Sequence, residues 1–71
     1  MKETIQITTE YMTLGQFLKL ADVIDSGGAA KIFLAENTVF VNGEPENRRG
    51  RKLYDGDQVE IPGIGQFLIS R

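Results

Sequence analysis

Neither cysteine nor histidine occurs among the 71 residues. Without cysteine there is no disulfide framework and no thiolate metal site. Without histidine, the usual general base and the usual zinc ligand are both missing. Long apolar runs are absent too. No stretch approaches the ~18 apolar residues of a membrane span. The first residues, which include Ile5 and Ile7, hold no apolar run of signal-peptide length. The expectation is a soluble cytoplasmic protein with no membrane, cofactor or metal dependence.

Enzymatic chemistry has little to stand on. Asp55 and Asp57 are close in sequence but flank Gly56, and acids beside a turn glycine usually serve local hydrogen bonding. Gly27-Gly28 and Gly63-Ile64-Gly65 do not make a phosphate-loop pattern. A non-catalytic protein is expected.

What is present fits one domain over residues 1–71. A chain of this length buries only about 60% of its unfolded surface, so its stability margin is thin. A hydrophobic fraction of 41% is adequate for one core. The net charge of −2 argues mildly against a generic nucleic-acid coat, but distribution matters more than the sum. Arg48, Arg49, Arg51 and Lys52 place four cations in five residues with no acid among them. The plain alternative is a solvated loop neutralised by Glu44, Glu46, Asp55 and Asp57. Two features favour a binding role. Gly50 inside the run lets backbone approach a ligand closely. Ser26-Gly27-Gly28 also offers bare amides at a helix start, where geometry and dipole favour an anion.

The pattern along the chain predicts an α+β fold. Residues 3–8 alternate, with Ile5 and Ile7 on one face, as a half-buried strand does. Residues 9–11 read as a connection. Thr13 and Gln16 have capping-box spacing, and Met12 is placed to staple onto Phe17. Leu14, Phe17, Leu18, Ala21 and Ile24 then follow a helical rhythm that ends near Asp22 or Asp25. Gly15 weakens the first turn. Ser26 is a second N-cap candidate. Ala30, Phe33 and Leu34 form the apolar face of a second helix, and Asn37 is expected as a left-handed stop. From residue 38 the period becomes two: Val39 and Val41 point one way and Phe40 the other. Asn42-Gly43 is a hairpin turn, and Pro45 keeps the returning strand from being central. Leu53 reads as a lone apolar anchor closing the basic loop. Val59 and Ile61 mark another strand, and residues 66–70 a last one that is apolar on both sides.

Three segments in this order resemble a known family. They are Ser26-Gly27-Gly28-Ala29-Ala30-Lys31, then Val39-Phe40-Val41-Asn42-Gly43, then Tyr54-Asp55-Gly56-Asp57-Gln58-Val59. Together they are similar to the S4 RNA-binding domain, or alpha-L motif, over most of the chain. The run 14–20 and the basic run 47–52 look like the small stand-alone YaaA and YbcJ type. The resemblance implies two packed helices against a small, mostly antiparallel sheet. It also implies structured RNA, ribosomal or transfer, as partner, and a link to ribosomes. Carried over by position, Lys31 is the cation of helix two, Asn42 and Gly43 form the turn, and the basic run lies in the loop that follows. Many members begin helix one with arginine-leucine-aspartate-lysine, where this chain has Thr13-Leu14-Gly15-Gln16. Many have serine-arginine before helix two, where it has Ser26-Gly27. Family-typical cations are therefore missing from the helical face.

The expected function is binding of structured RNA by a monomer. Phosphate contacts come from Lys31, Arg48, Arg49, Arg51 and Lys52, with Gly27, Gly28, Asn42 and Gly43 assisting. The other reading is a small protein-interaction adaptor that uses Phe40 and the last strand as an exposed sheet edge.

Overall fold

Alternating apolar residues build the larger of two sheets. The computed structural model describes residues 2–71. In chain order the elements are β1 (Lys2–Gln6), β2 (Tyr11–Thr13), α1 (Leu14–Leu20), α2 (Ala29–Glu36), β3 (Val39–Val41), β4 (Glu44–Glu46), β5 (Lys52–Tyr54), β6 (Gln58–Ile61) and β7 (Gly65–Ser70). Five strands form a sheet in the order β1-β7-β6-β3-β4, and β2 pairs with β5 as a separate ribbon. Every pairing is antiparallel except β1 with β7. Two helices on a mostly antiparallel sheet make the α+β architecture expected.

The period-two residues do what their spacing implies. Val39, Val41, Val59, Ile61, Phe67 and Ile69 are buried, while Phe40 and Leu68 are half-buried. Asn42 and Gly43 have φ of 53° and 84°. Positive φ at both central residues is the signature of the type I′ turn that suits a twisted two-residue hairpin. Pro45 sits on β4, at the edge of the sheet, where its missing N–H costs no ladder bond.

Thr13 caps α1 in a capping box. Its Oγ1 accepts from the Gln16 amide at 3.3 Å, and Gln16 Oε1 accepts from the Thr13 amide at 3.0 Å. Leu14, Phe17 and Leu18 are buried, and Phe17 meets Phe67 of β7 edge-on at 5.1 Å. The helix is shorter than its apolar rhythm predicts. Asp22 takes φ 64°. The Val23 amide donates to Leu18 O and the Asp22 amide to Lys19 O, which is a Schellman ending with aspartate in the place glycine usually fills. Ile24 is still buried, but from the irregular segment beyond.

Both ends of α2 differ from expectation. Ser26 does not cap it with its side chain; Gly28 is the N-cap and supplies no side-chain bond. The Ala29 and Ala30 amides turn back onto the carbonyls of Ser26 and Gly27. Asn37 is extended rather than left-handed, with φ −133°. Its amide and its Nδ2 both donate to Phe33 O, at 2.8 and 3.1 Å, so the last turn closes without positive φ. Ala30 and Leu34 are buried, so packing rather than capping holds this helix in place.

Two further expectations are corrected. Tyr11 does not belong to the connection but opens strand β2, and Leu53 is not a lone anchor. It is the buried centre of β5, opposite Met12. The last strand is not an exposed edge either, because β1 pairs along its whole length and leaves it inside the sheet. Among the described residues no helix is long and apolar enough to cross a membrane.

Replacing Thr13 by alanine removes the acceptor that holds the Gln16 amide. The expected loss is about 1 kcal/mol, seen as a fall of several degrees in Tm by circular dichroism. An unchanged melt places the start of α1 elsewhere.

Candidate functional site

A helix start leaves its first amides without intrahelical partners. In α1 these amides hold the basic loop. The Leu14 amide donates to Arg51 O and the Gly15 amide to Arg49 O, both at 2.8 Å. Gly15 lies at the point of closest approach. A Cβ built there would lie 3.4 Å from Arg49 O, 3.5 Å from Arg49 Cβ and 3.7 Å from Ala30 Cβ. These are ordinary contact distances, so an alanine would pack there against both the loop and α2. The residue that weakens the first helical turn is therefore the point where α1, α2 and the loop meet.

The loop is also clamped from beneath. Glu46, the last residue of β4, is only 8% exposed. Arg48 donates to it through Nε at 2.9 Å, through Nη2 at 3.0 Å and through its backbone amide at 3.1 Å, and Arg51 Nη1 donates at 2.8 Å. The hydrogen bonds from Arg48 lead in lowering the Glu46 carboxyl from 4.5 to about 2; burial opposes the shift and Arg51 reinforces it. The same contact raises the Arg48 guanidinium above its ordinary range. Paired and fully hydrogen-bonded, the buried carboxylate is stable where an isolated one would not be.

Neutralisation of the loop is thus real but partial. It comes from one acid and reaches two of the four cations. Among the described residues Arg49, Lys52, Lys19 and Lys31 have no acidic partner. Arg49 shares a groove with Lys19 of α1 and with Gly27 just before α2, and Gly50 lies on its rim. Gly50 also borders a second hollow, lined by Arg48, Arg51, Lys52 and Tyr54. Cationic side chains thus face two adjoining hollows on either side of one glycine.

The remaining residues singled out from the sequence lie as follows. Lys31 is exposed on α2, and Gly28 is exposed at its start, with open space where a Cβ would be. Asn42 is committed internally: its Nδ2 donates to Asp57 Oδ1 at 3.1 Å, and its Oδ1 accepts from the Gln58 amide at 2.9 Å. Gly43 borders a hollow with Lys2 and Phe40 that contains no loop cation. Asp57 accepts from the Tyr54 amide, the local bonding expected of a turn acid, whereas Asp55 accepts from the Arg71 amide at the far end of the chain. Lys19 was not anticipated. It stands alone in the last turn of α1, and only the docking of the loop brings it beside Arg49.

The chain matches the S4 domain family over residues 5–69. It is 67% identical over 69 residues to a Bacillus subtilis (strain 168) protein named probable ribosome maturation protein RlbA, and the match covers 97% of each chain.

The clamp predicts a pH signature. A carboxyl whose folded pKa lies below its unfolded value stabilises the fold fully above the unfolded pKa and loses that contribution as pH falls through the folded one. Glu46→Gln is therefore expected to melt lower than wild type at neutral pH. The gap should hold down to about pH 5 and close between roughly 4.5 and 2. Thermal melts of both proteins across this range test it, and a gap independent of pH means that the ion pair contributes nothing.

Proposed function

The chain belongs to the S4 domain family, and from that premise we propose that it is a non-catalytic, cytoplasmic protein that binds structured RNA during ribosome maturation. In this reading the chain acts as one monomeric domain of the stand-alone YaaA and YbcJ type. Its two helices and the adjoining loop form the alpha-L surface, and its RNA is ribosomal or transfer RNA. The relative from Bacillus subtilis, named for ribosome maturation, supports the setting.

The observation that carries the reading is the convergence of Arg49, Lys19 and Gly27 in one groove. The two cations, Lys19 on α1 and Arg49 in the loop, have no acidic partner among the described residues and face solvent. Lys19 lies on the helical face from which family-typical cations are missing. Arginine and lysine placed this way make charge-assisted contacts to phosphate oxygens. Such contacts position an RNA without reading its sequence, and a folded or A-form RNA is recognised by shape. Lys31, Lys52 and the outward nitrogens of Arg48 and Arg51 extend the phosphate-binding surface, and the Gly27 and Gly28 backbone allows close approach. Asn42 and Gly43 contribute by holding the turn.

Binding through phosphates releases counterions, so affinity falls as salt rises. The informative variant is Arg49→Gln with Lys19→Gln, which removes two exposed charges and leaves the Glu46 clamp intact. Affinity for structured RNA should fall for every sequence tested. The logarithmic salt slope should become shallower by about one to two units. Filter binding over a salt series measures both quantities. Wild-type affinity and slope in the double variant would remove the groove from the interface.

A further inference from the structure

The β2–β5 ribbon has two faces. Met12 and Leu53 point inward; Leu53 is buried and Met12 packs on the core. The alternate residues therefore point outward: Tyr11 opposite Tyr54, and Thr13 opposite Lys52. Both tyrosines are large and open to solvent, at 39% and 43% exposure. Their ring centroids are 5.9 Å apart with planes tilted by 47°. Lys52 Nζ stands 4.9 Å from the centre of the Tyr11 ring, a cation–π contact that steadies that ring. Tyr54 instead lines the hollow with Arg48, Gly50, Arg51 and Lys52.

We propose that this outer face is a stacking platform for an unpaired nucleotide of the bound RNA, with its base on Tyr54 and its phosphates on the surrounding cations. The inference rests on the RNA-binding reading above and adds to it a preference for RNA with an extruded base. Charge complementarity selects this occupant. Three cations border the hollow, and the nearby acids of the following turn are turned onto backbone amides at Tyr54 and Arg71. Glu46 occupies Nε and Nη2 of Arg48 and only Nη1 of Arg51. Each guanidinium therefore keeps free N–H groups for phosphate. The platform also adjoins the groove of the helical face: Thr13 ends β2 and Gly50 borders both hollows. An RNA lying along the groove places a bulged or looped-out nucleotide at the ribbon. Stacking on an aromatic side chain does not depend on the identity of the base.

The chain has two tyrosines and no tryptophan, so its intrinsic emission reports on this platform alone. The test compares two RNA hairpins, identical except that one carries a three-nucleotide bulge. Wild type should bind the bulged hairpin about five- to a hundredfold more tightly, with quenching of tyrosine emission that the fully paired hairpin does not produce. Tyr54→Ala should abolish the preference while leaving affinity for the paired hairpin and its salt slope as in wild type. Tyr54→Phe should retain the preference. Equal affinity of wild type for the two hairpins, with salt-dependent binding to both, overturns the platform and leaves the RNA-binding reading standing. Absence of salt-dependent binding to either hairpin overturns both.

Discussion

The structure depends on two backbone hydrogen bonds, from the Leu14 and Gly15 amides to the Arg51 and Arg49 carbonyls. A helix needs acceptors for its first amides, and a basic loop needs something to keep it from wandering. Each meets the need of the other. Gly15 sits where they meet, within contact distance of the loop and of Ala30 of α2. Thr13 holds the next amide in line and also ends β2. The helix start, the ribbon and the loop therefore form one unit around a single turn of backbone.

That unit sorts the charges of the loop by role. A buried carboxylate needs partners, and Glu46 has enlisted Arg48 and Arg51. Their carbonyl and amide groups are also in use, since the Arg51 amide donates to Arg48 O. Arg49 and Lys52 are left to face outward. A run of four cations that looks uniform in sequence is divided in space between two that hold Glu46 and two with no acidic partner among the described residues. Free charge is therefore presented from a fixed backbone, which reduces the conformational entropy lost when a ligand is bound.

Much of this was legible in the sequence where the signal was local. The capping box at Thr13 and Gln16, the Asn42-Gly43 hairpin, the edge position of Pro45 and the inward Val59 and Ile61 all rest on contacts within a few residues or on a strict period. The ribbon was not legible. Tyr11–Thr13 and Lys52–Tyr54 are three residues each, too short to show alternation, and they find each other only across α1, α2 and the hairpin. Helix ends were misread where two chemistries compete. Asn37 satisfies Phe33 O with its side chain instead of turning left-handed, whereas the end of α1 at Asp22 was one of the two places expected. At the site, the basic cluster was plain from composition. Its division between clamp and free cations was not, because a burial difference between Glu46 and its neighbour Glu44 leaves no trace in charge counting. Lys19 was invisible for the same reason as the ribbon: its neighbour Arg49 is distant in sequence.

The parallel pairing of β1 with β7 has a kinetic side. Residues 2–6 leave the ribosome well before residues 65–70, which are their sheet partner among the described residues. Until those appear, β1 has nothing to pair with, and β6 lacks one neighbour. Contacts this distant in sequence carry a loop-closure entropy that local ones do not, and they slow folding. The β3–β4 hairpin and its pairing with β6 are closed by contacts much shorter in sequence and are free to order earlier, so the β1–β7 side of the sheet is the part of the fold that waits. During that wait the polar composition of β1, with Lys2, Glu3, Thr4 and Gln6 around a single Ile5, keeps an unpaired strand soluble and a poor template for misassembly.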